Sequence, residues 1–419
     1  MNTLLKSATI IDPESPFHRQ VSDILIADGK IVRIALHIEA EDNIRTVNPP
    51  NLHVSRGWSD TGVCFGEPGF EERETLENGL NTAATSGFTD VVVQPDTQPV
   101  TDTHADVAFL RNKAAGHAVN LYPTGALTMQ SKGKRLAELY DMKNAGAVAF
   151  GDYKKPVVHA NLLKIALQYA QGFGGLVCSF PQETTIAGSG TVNEHIAATK
   201  LGLKGMPALA ETLQIARDLS ILNYTGGKLH IPTVSTAAAV DLIKAAKQKG
   251  ANVSCSVAIH NLLFTDEALH EFDTRFKVLP PLRSEEDRQA LIDGLKDGTI
   301  DFVSTDHCPI NIEHKKTAFE DALYGTIGLE SAFGALHSLF DTETTVALLT
   351  RRKESFGIPV REIKEGEKAS LSLFNPDITY TFSEKDIRSA SKNSAFLGST
   401  LRGKAYGIFN NGQLIVNPL

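Results

Sequence analysis

The feature that most constrains this chain is an alternation of short apolar runs with amphipathic stretches, sustained from about residue 57 to about residue 356. Leu76 to Ser86 carries apolar residues at helical spacing and leads into the valine run Thr89 to Gln94. Leu136 to Ala145 precedes Ala147 to Phe150, Ala237 to Lys249 precedes Asn252 to Val257, and Glu285 to Lys296 precedes Asp301 to Ser304. Short apolar strands that alternate with helices predict a parallel sheet covered by helices, because parallel neighbours need a long crossover between them. Roughly 300 residues of this pattern suit a (β/α)8 barrel. Pattern alone leaves an open doubly wound sheet as the alternative.

Both ends differ from the middle. Thr3 to Ile11, Asp23 to Ala27 and Ile31 to Ala35 read as strands, with Asp28-Gly29-Lys30 as a hairpin turn. Ser370 to Phe374, Gly407 to Phe409 and Gln413 to Val416 repeat that texture around the turn Asn410-Asn411-Gly412. The expected organisation is therefore a barrel over residues 56–356 and one small β-sandwich assembled from residues 1–55 and 357–419.

Bulk properties exclude several classes. A formal charge of -8 argues against a protein that wraps nucleic acid or coats an anionic membrane. No uninterrupted apolar run approaches the roughly 18 residues needed to span a bilayer. Met1 to Ser15 lacks the charged start, apolar run and cleavage site of a signal peptide, so cytoplasm is the expected location. Cys64, Cys178, Cys255 and Cys308 form no CxxC pair, which fits a reducing compartment.

In a barrel, chemistry gathers where the strands end. Several such segments resemble those of the dihydroorotases, in the expected order. Glu67-Pro68-Gly69-Phe70 with Glu74-Thr75 resembles "REPGFEYKET", and Gly87-Phe88-Thr89 with Gln94-Pro95-Asp96-Thr97 resembles "GGFTTVVxMPNT". Gly202 to Ala208 resembles "GLxGIPA", Phe276 to Arg283 resembles "FKVNPPLR", Thr305 to Pro309 resembles "TDHAPH", and Gly325 to Glu330 resembles "GIIGLE". The chain thus resembles a bacterial class I dihydroorotase of the amidohydrolase superfamily, the type found in multifunctional complexes. The resemblance implies a metal-dependent (β/α)8 barrel, a β-sandwich beside it, and interconversion of carbamoyl aspartate with dihydroorotate.

The resemblance also implies a pair of zinc ions, and here the sequence departs from the family. The "DxHxHxR" motif reads Asp60 to Gly66, with Gly62 and Cys64 at the histidine positions and Gly66 at the arginine that grips substrate. Cys64 reads either as one thiolate ligand or as a buried inert thiol. The "FSDDG" segment reads Phe150 to Lys154, leaving open whether Asp152 or the Tyr153 position stands for the bridging carboxylate. Lys154 and Lys155 read as solvated loop lysines or, less simply, as a carboxylated bridge. Phe180 and Thr233 hold the two later histidine positions. His230, three residues before Thr233, is expected on the opposite side of an extended strand as a structural histidine.

Substrate positions change too. Asp96 and Leu279 replace asparagines, and Ile310 replaces the last histidine of "TDHAPH". An aspartate repels an anionic substrate, and a leucine offers it no hydrogen bond. Asp306 is retained; the resemblance makes it a metal ligand and proton carrier, and otherwise it is a strand-end carboxylate held by backbone donors or by His307. His260 resembles part of "TPHHL" and is expected to face the mouth as a weak substrate contact.

The first expectation is therefore a catalytically inactive, oligomeric dihydroorotase-like partner without cofactor, with aspartate transcarbamoylase as the partner the resemblance implies. The second is an active cyclic-amide hydrolase with zinc in a rebuilt site drawn from Cys64, Asp152, His260, Asp306 and His307. The third is a small-molecule binding module using the emptied mouth.

Overall fold

A computed structural model describes residues 2–40 and 44–417. Eight strands lie in sequential order around a parallel barrel: Trp58–Val63, Phe88–Val93, Asn120–Gly125, Ala149–Phe150, Val177–Cys178, Leu229–Ile231, Val253–Ala258 and Phe302–Ser304. The eighth returns to the first through a parallel bridge between Val63 and His307 and through the Cys64 N–H, which donates to the His307 carbonyl at 2.8 Å. Helices such as Leu76–Thr85, Ala160–Gln171, Ala237–Gln248 and Glu285–Lys296 cover the outside. The last begins where sequence placed it because Ser284 and Asp287 form a reciprocal capping box.

Strands from both ends of the chain form a second, eight-stranded sheet. Its path runs Gln413–Val416, Thr400–Asn410, Leu371–Thr381, His53–Arg56, Thr3–Ile11, Val21–Ala27 and Lys30–Ala35, with Arg45–Val47 also on Thr3–Ile11. Two tight turns share one chemistry: Asp28 and Gly29 have φ of 50° and 74°, and Asn411 and Gly412 have 50° and 73°. Positive φ at both central residues matches the twist of antiparallel strands. The chain is thus a (β/α)8 barrel with a β-sandwich module. Among the described residues no helix is long and apolar enough to cross a membrane.

Two sequence boundaries move. The helix expected from Leu136 begins at Leu139, because Leu136 bridges to Thr128 and the Ala137 N–H donates to the Leu127 carbonyl. The strand expected over Ser370 to Phe374 continues to Thr381, paired with a long partner that begins at Thr400.

Trp58 joins the two sheets. Fully buried, it stacks on Phe333 at 4.9 Å and contacts Phe374 of the terminal sheet at 5.5 Å, while its indole N–H donates to Ser55. Replacing Trp58 with alanine is expected to lower the free energy of urea unfolding by roughly 3–5 kcal/mol. The same change at exposed Tyr224 should stay within about 0.5 kcal/mol.

Candidate functional site

The carboxyl ends of the barrel strands surround a small cavity of about 40 Å3, whose lining includes Gly62, Tyr153, Lys154, Phe180, Thr233 and Asp306. Its electrostatic centre is one ion pair. Asp306, just past the eighth strand with a left-handed φ of 49°, accepts a hydrogen bond from the Lys154 ammonium at 2.7 Å. The Tyr153 hydroxyl lies 3.5 Å from its other oxygen. The Lys154 and Asp306 side chains are only 12% and 4% exposed. Burial acts to lower the Lys154 pKa, but the Asp306 carboxylate outweighs it and raises it above its ordinary value. Burial pushes the Asp306 carboxyl up, and Lys154 pulls it back. Lys154 is therefore not a solvated loop lysine, and Asp306 is held by Lys154 and Tyr153 rather than by His307.

Asp60 serves the scaffold. Its carboxylate accepts from the Gly62 N–H at 3.0 Å, the Ser304 hydroxyl at 2.9 Å, the Thr305 N–H at 3.1 Å and the Thr305 hydroxyl. It ties the first strand to the eighth. Burial pushes its carboxyl up to about 6 against those donors.

The positions that the resemblance aligns with the family's ligand and substrate residues are closely packed. A Cβ on Gly62 would lie 2.8 Å from the Ser304 hydroxyl oxygen, and one on Gly66, at φ 93°, would lie 2.6 Å from the Phe70 carbonyl oxygen. Phe180 is buried. Leu279 packs against Met206 and Ala210, and Ile310 packs against Cys64 and Cys308. Asp152 turns to Thr128, accepting from its N–H at 2.9 Å and its hydroxyl at 2.5 Å. The donor set does not fit a pair of zinc ions: the positions that the resemblance gives to imidazoles hold glycine, a thiol, phenylalanine and threonine, one carboxylate is taken by Thr128 and the other by an ammonium.

Histidines do not rebuild the site. His230 and Thr233 both line the cavity, contrary to the alternation expected of an extended strand, because the strand ends at Ile231 and Thr233 has a left-handed φ of 49°. The His230 ring sits between the Ser254 and Ser256 hydroxyls at 2.9 and 3.3 Å, and burial lowers its pKa to about 4. His260 is fully buried on the short helix Ile259–Leu263 and lines neither this cavity nor the neighbouring groove. Burial lowers its pKa to about 3, keeping it neutral. His307 accepts the Gly328 N–H at Nδ1 and packs edge-on against Phe65. Cys64, Asp152, His260, Asp306 and His307 are therefore not gathered into one ligand cluster among the described residues.

A different cluster is present. The Cys64 and Cys308 thiols and the Asp96 carboxylate lie within 4.8 Å of one another. Asp96 and Cys308 border a groove of about 380 Å3 beside the barrel mouth. Neither this grouping nor the Lys154–Asp306 pair is among the sequence expectations, in which Lys154 is a solvated loop lysine or a carboxylated bridge; the available signal was a cationic residue at a strand end. Arg283 belongs to the frame, donating to Asn193, Met206 and Ser235.

Comparisons agree with this architecture. The Dihydro-orotase-like family matches residues 56–239. A protein named dihydroorotase from Pelotomaculum thermopropionicum is 38% identical over 99% of both chains, and another from Geotalea daltonii is 36% identical over 99% of both. Among solved structures, an L-hydantoinase (dihydropyrimidinase) from Arthrobacter aurescens superposes with a TM-score of 0.85 at 23% identity, covering 99% of this chain and 96% of its own. A D-hydantoinase from a Thermus species gives 0.80 at 21% identity, covering 99% and 97%. The fold is that of an amidohydrolase-type barrel. The chain belongs to the dihydroorotase family.

Removing one member of the buried pair leaves the other uncompensated. Lys154→Met and Asp306→Asn are each expected to lower unfolding stability by about 3 kcal/mol. The double variant should lose clearly less than their sum, which a double-mutant cycle in urea measures.

Proposed function

We propose that this chain is a dihydroorotase-family protein of pyrimidine biosynthesis that has lost hydrolysis and acts as a structural partner, with aspartate transcarbamoylase as the counterpart its resemblance implies. The carrying observation is the Lys154 ammonium on Asp306. An ammonium supplies positive charge but no open coordination position, so it cannot acidify a bound water toward neutral pKa. A carboxylate held in a buried ion pair is also a poor proton carrier, since taking a proton would leave the ammonium without its counter-charge. Closure at Gly62 and Gly66 and the apolar side chains at Phe180, Leu279 and Ile310 support the same reading, because substrate-gripping groups are missing as well as metal ligands. The intact fold around this altered mouth suits a subunit retained for assembly, including association with further copies of itself.

A second reading, a cyclic-amide hydrolase with a reduced metal site, draws on retained Asp306 and on the thiol–carboxylate cluster. Assays of carbamoyl aspartate cyclisation and dihydroorotate hydrolysis with added zinc separate the two. The expected result is no turnover above the uncatalysed rate, together with co-purification of aspartate transcarbamoylase from the native host. Zinc-dependent turnover abolished by Asp306→Asn would establish the second reading instead.

A further inference from the structure

The geometry points to a mononuclear site for a thiophilic divalent cation, zinc by ligand chemistry, built from Cys64, Asp96 and Cys308 at the barrel rim. The three residues follow the first, second and eighth strands, which are neighbours around the closed barrel. Their ligand atoms already lie within 4.8 Å of one another. Tetrahedral zinc with sulfur at about 2.3 Å and oxygen at about 2.0 Å needs ligand atoms roughly 3.5 to 3.8 Å apart. Small side-chain rotations therefore suffice to draw the set together. The supporting backbone is firm, since the Cys64 N–H donates to the His307 carbonyl and the Cys308 N–H to the Thr326 carbonyl at 2.9 Å. A fourth position would face the groove and remain available to water.

Charge favours the same assignment. Binding releases the thiol protons, so two thiolates and a carboxylate around a divalent ion leave a net charge of -1. Lys315 stands ready to offset it. Its buried ammonium donates only to the carbonyls of Thr274, Lys277 and Leu323, at 2.8, 3.2 and 2.9 Å, and lies within electrostatic reach of Cys308. Among the described residues no carboxylate forms a salt bridge with it, and burial lowers its pKa to about 7, so an anionic cluster nearby would favour its charged form. This set uses neither Asp306 nor Asp152, so the site stands whether or not hydrolysis has been lost.

The test is titration of metal-free, reduced protein with cobalt(II), followed by zinc(II) displacement. The expected result is one equivalent of cobalt with a thiolate-to-metal charge-transfer band, bleached by zinc. Cys64→Ser and Cys308→Ser should abolish the band, Asp96→Asn should weaken binding at least tenfold, and Asp306→Asn should leave it unchanged. Circular dichroism melts confirm that each variant is folded, with Cys64→Ala as a second thiol variant. Absence of the band in folded protein overturns the site and leaves the functional reading standing. Two equivalents bound through Asp306 would overturn both.

Discussion

A single buried ion pair decides what this barrel mouth can do. In a metal-dependent barrel, strand-end carboxylates and imidazoles converge because a multivalent cation holds them together. Here Lys154 brings its own charge to Asp306 from the fourth strand's end, and the mouth is neutralised without an ion. Tyr153 stands beside it, and Ile310 packs against the Cys64 and Cys308 thiols. On the proposed reading, this pair stands where a metal ion would otherwise supply the chemistry.

The rest of the scaffold is tied together around that pair. Asp60 fastens the first strand to the eighth, and Glu211 accepts from the N–H groups of Ser235 and Thr236 as the sixth strand's loop enters its helix. Arg283 braces the same region through Asn193 and Met206. These buried polar groups are satisfied by partners on other elements, which makes them costly to remove and explains why the fold stays intact while the mouth differs. Fold and activity are separate properties of such a barrel, since the residues that hold it together are not those that would perform the reaction.

Much of this architecture is legible in residue pattern. Helix Glu285–Lys296 announces itself through Ser284 and Asp287, and the tight turns through Asp-Gly and Asn-Gly. The barrel's two-residue strands, Ala149–Phe150 and Val177–Cys178, are too short for periodicity to mark, and collinear motifs locate them instead. Lys154 is illegible because its partner lies 152 residues away and a lysine after a strand reads as solvated. His230 and Thr233 mislead because period-two alternation holds only while the backbone stays extended, and it ceases at Ile231. Cys64, Asp96 and Cys308 form no spacing motif; only barrel closure makes them neighbours.

The central claim concerns which cation Asp306 holds. Crystals grown in excess zinc and measured on both sides of the zinc absorption edge address it directly. The expected map has the Lys154 Nζ in hydrogen-bond contact with Asp306 and no anomalous peak at that carboxylate. A peak coordinated by Asp306, with Lys154 swung out of the cavity, would contradict it.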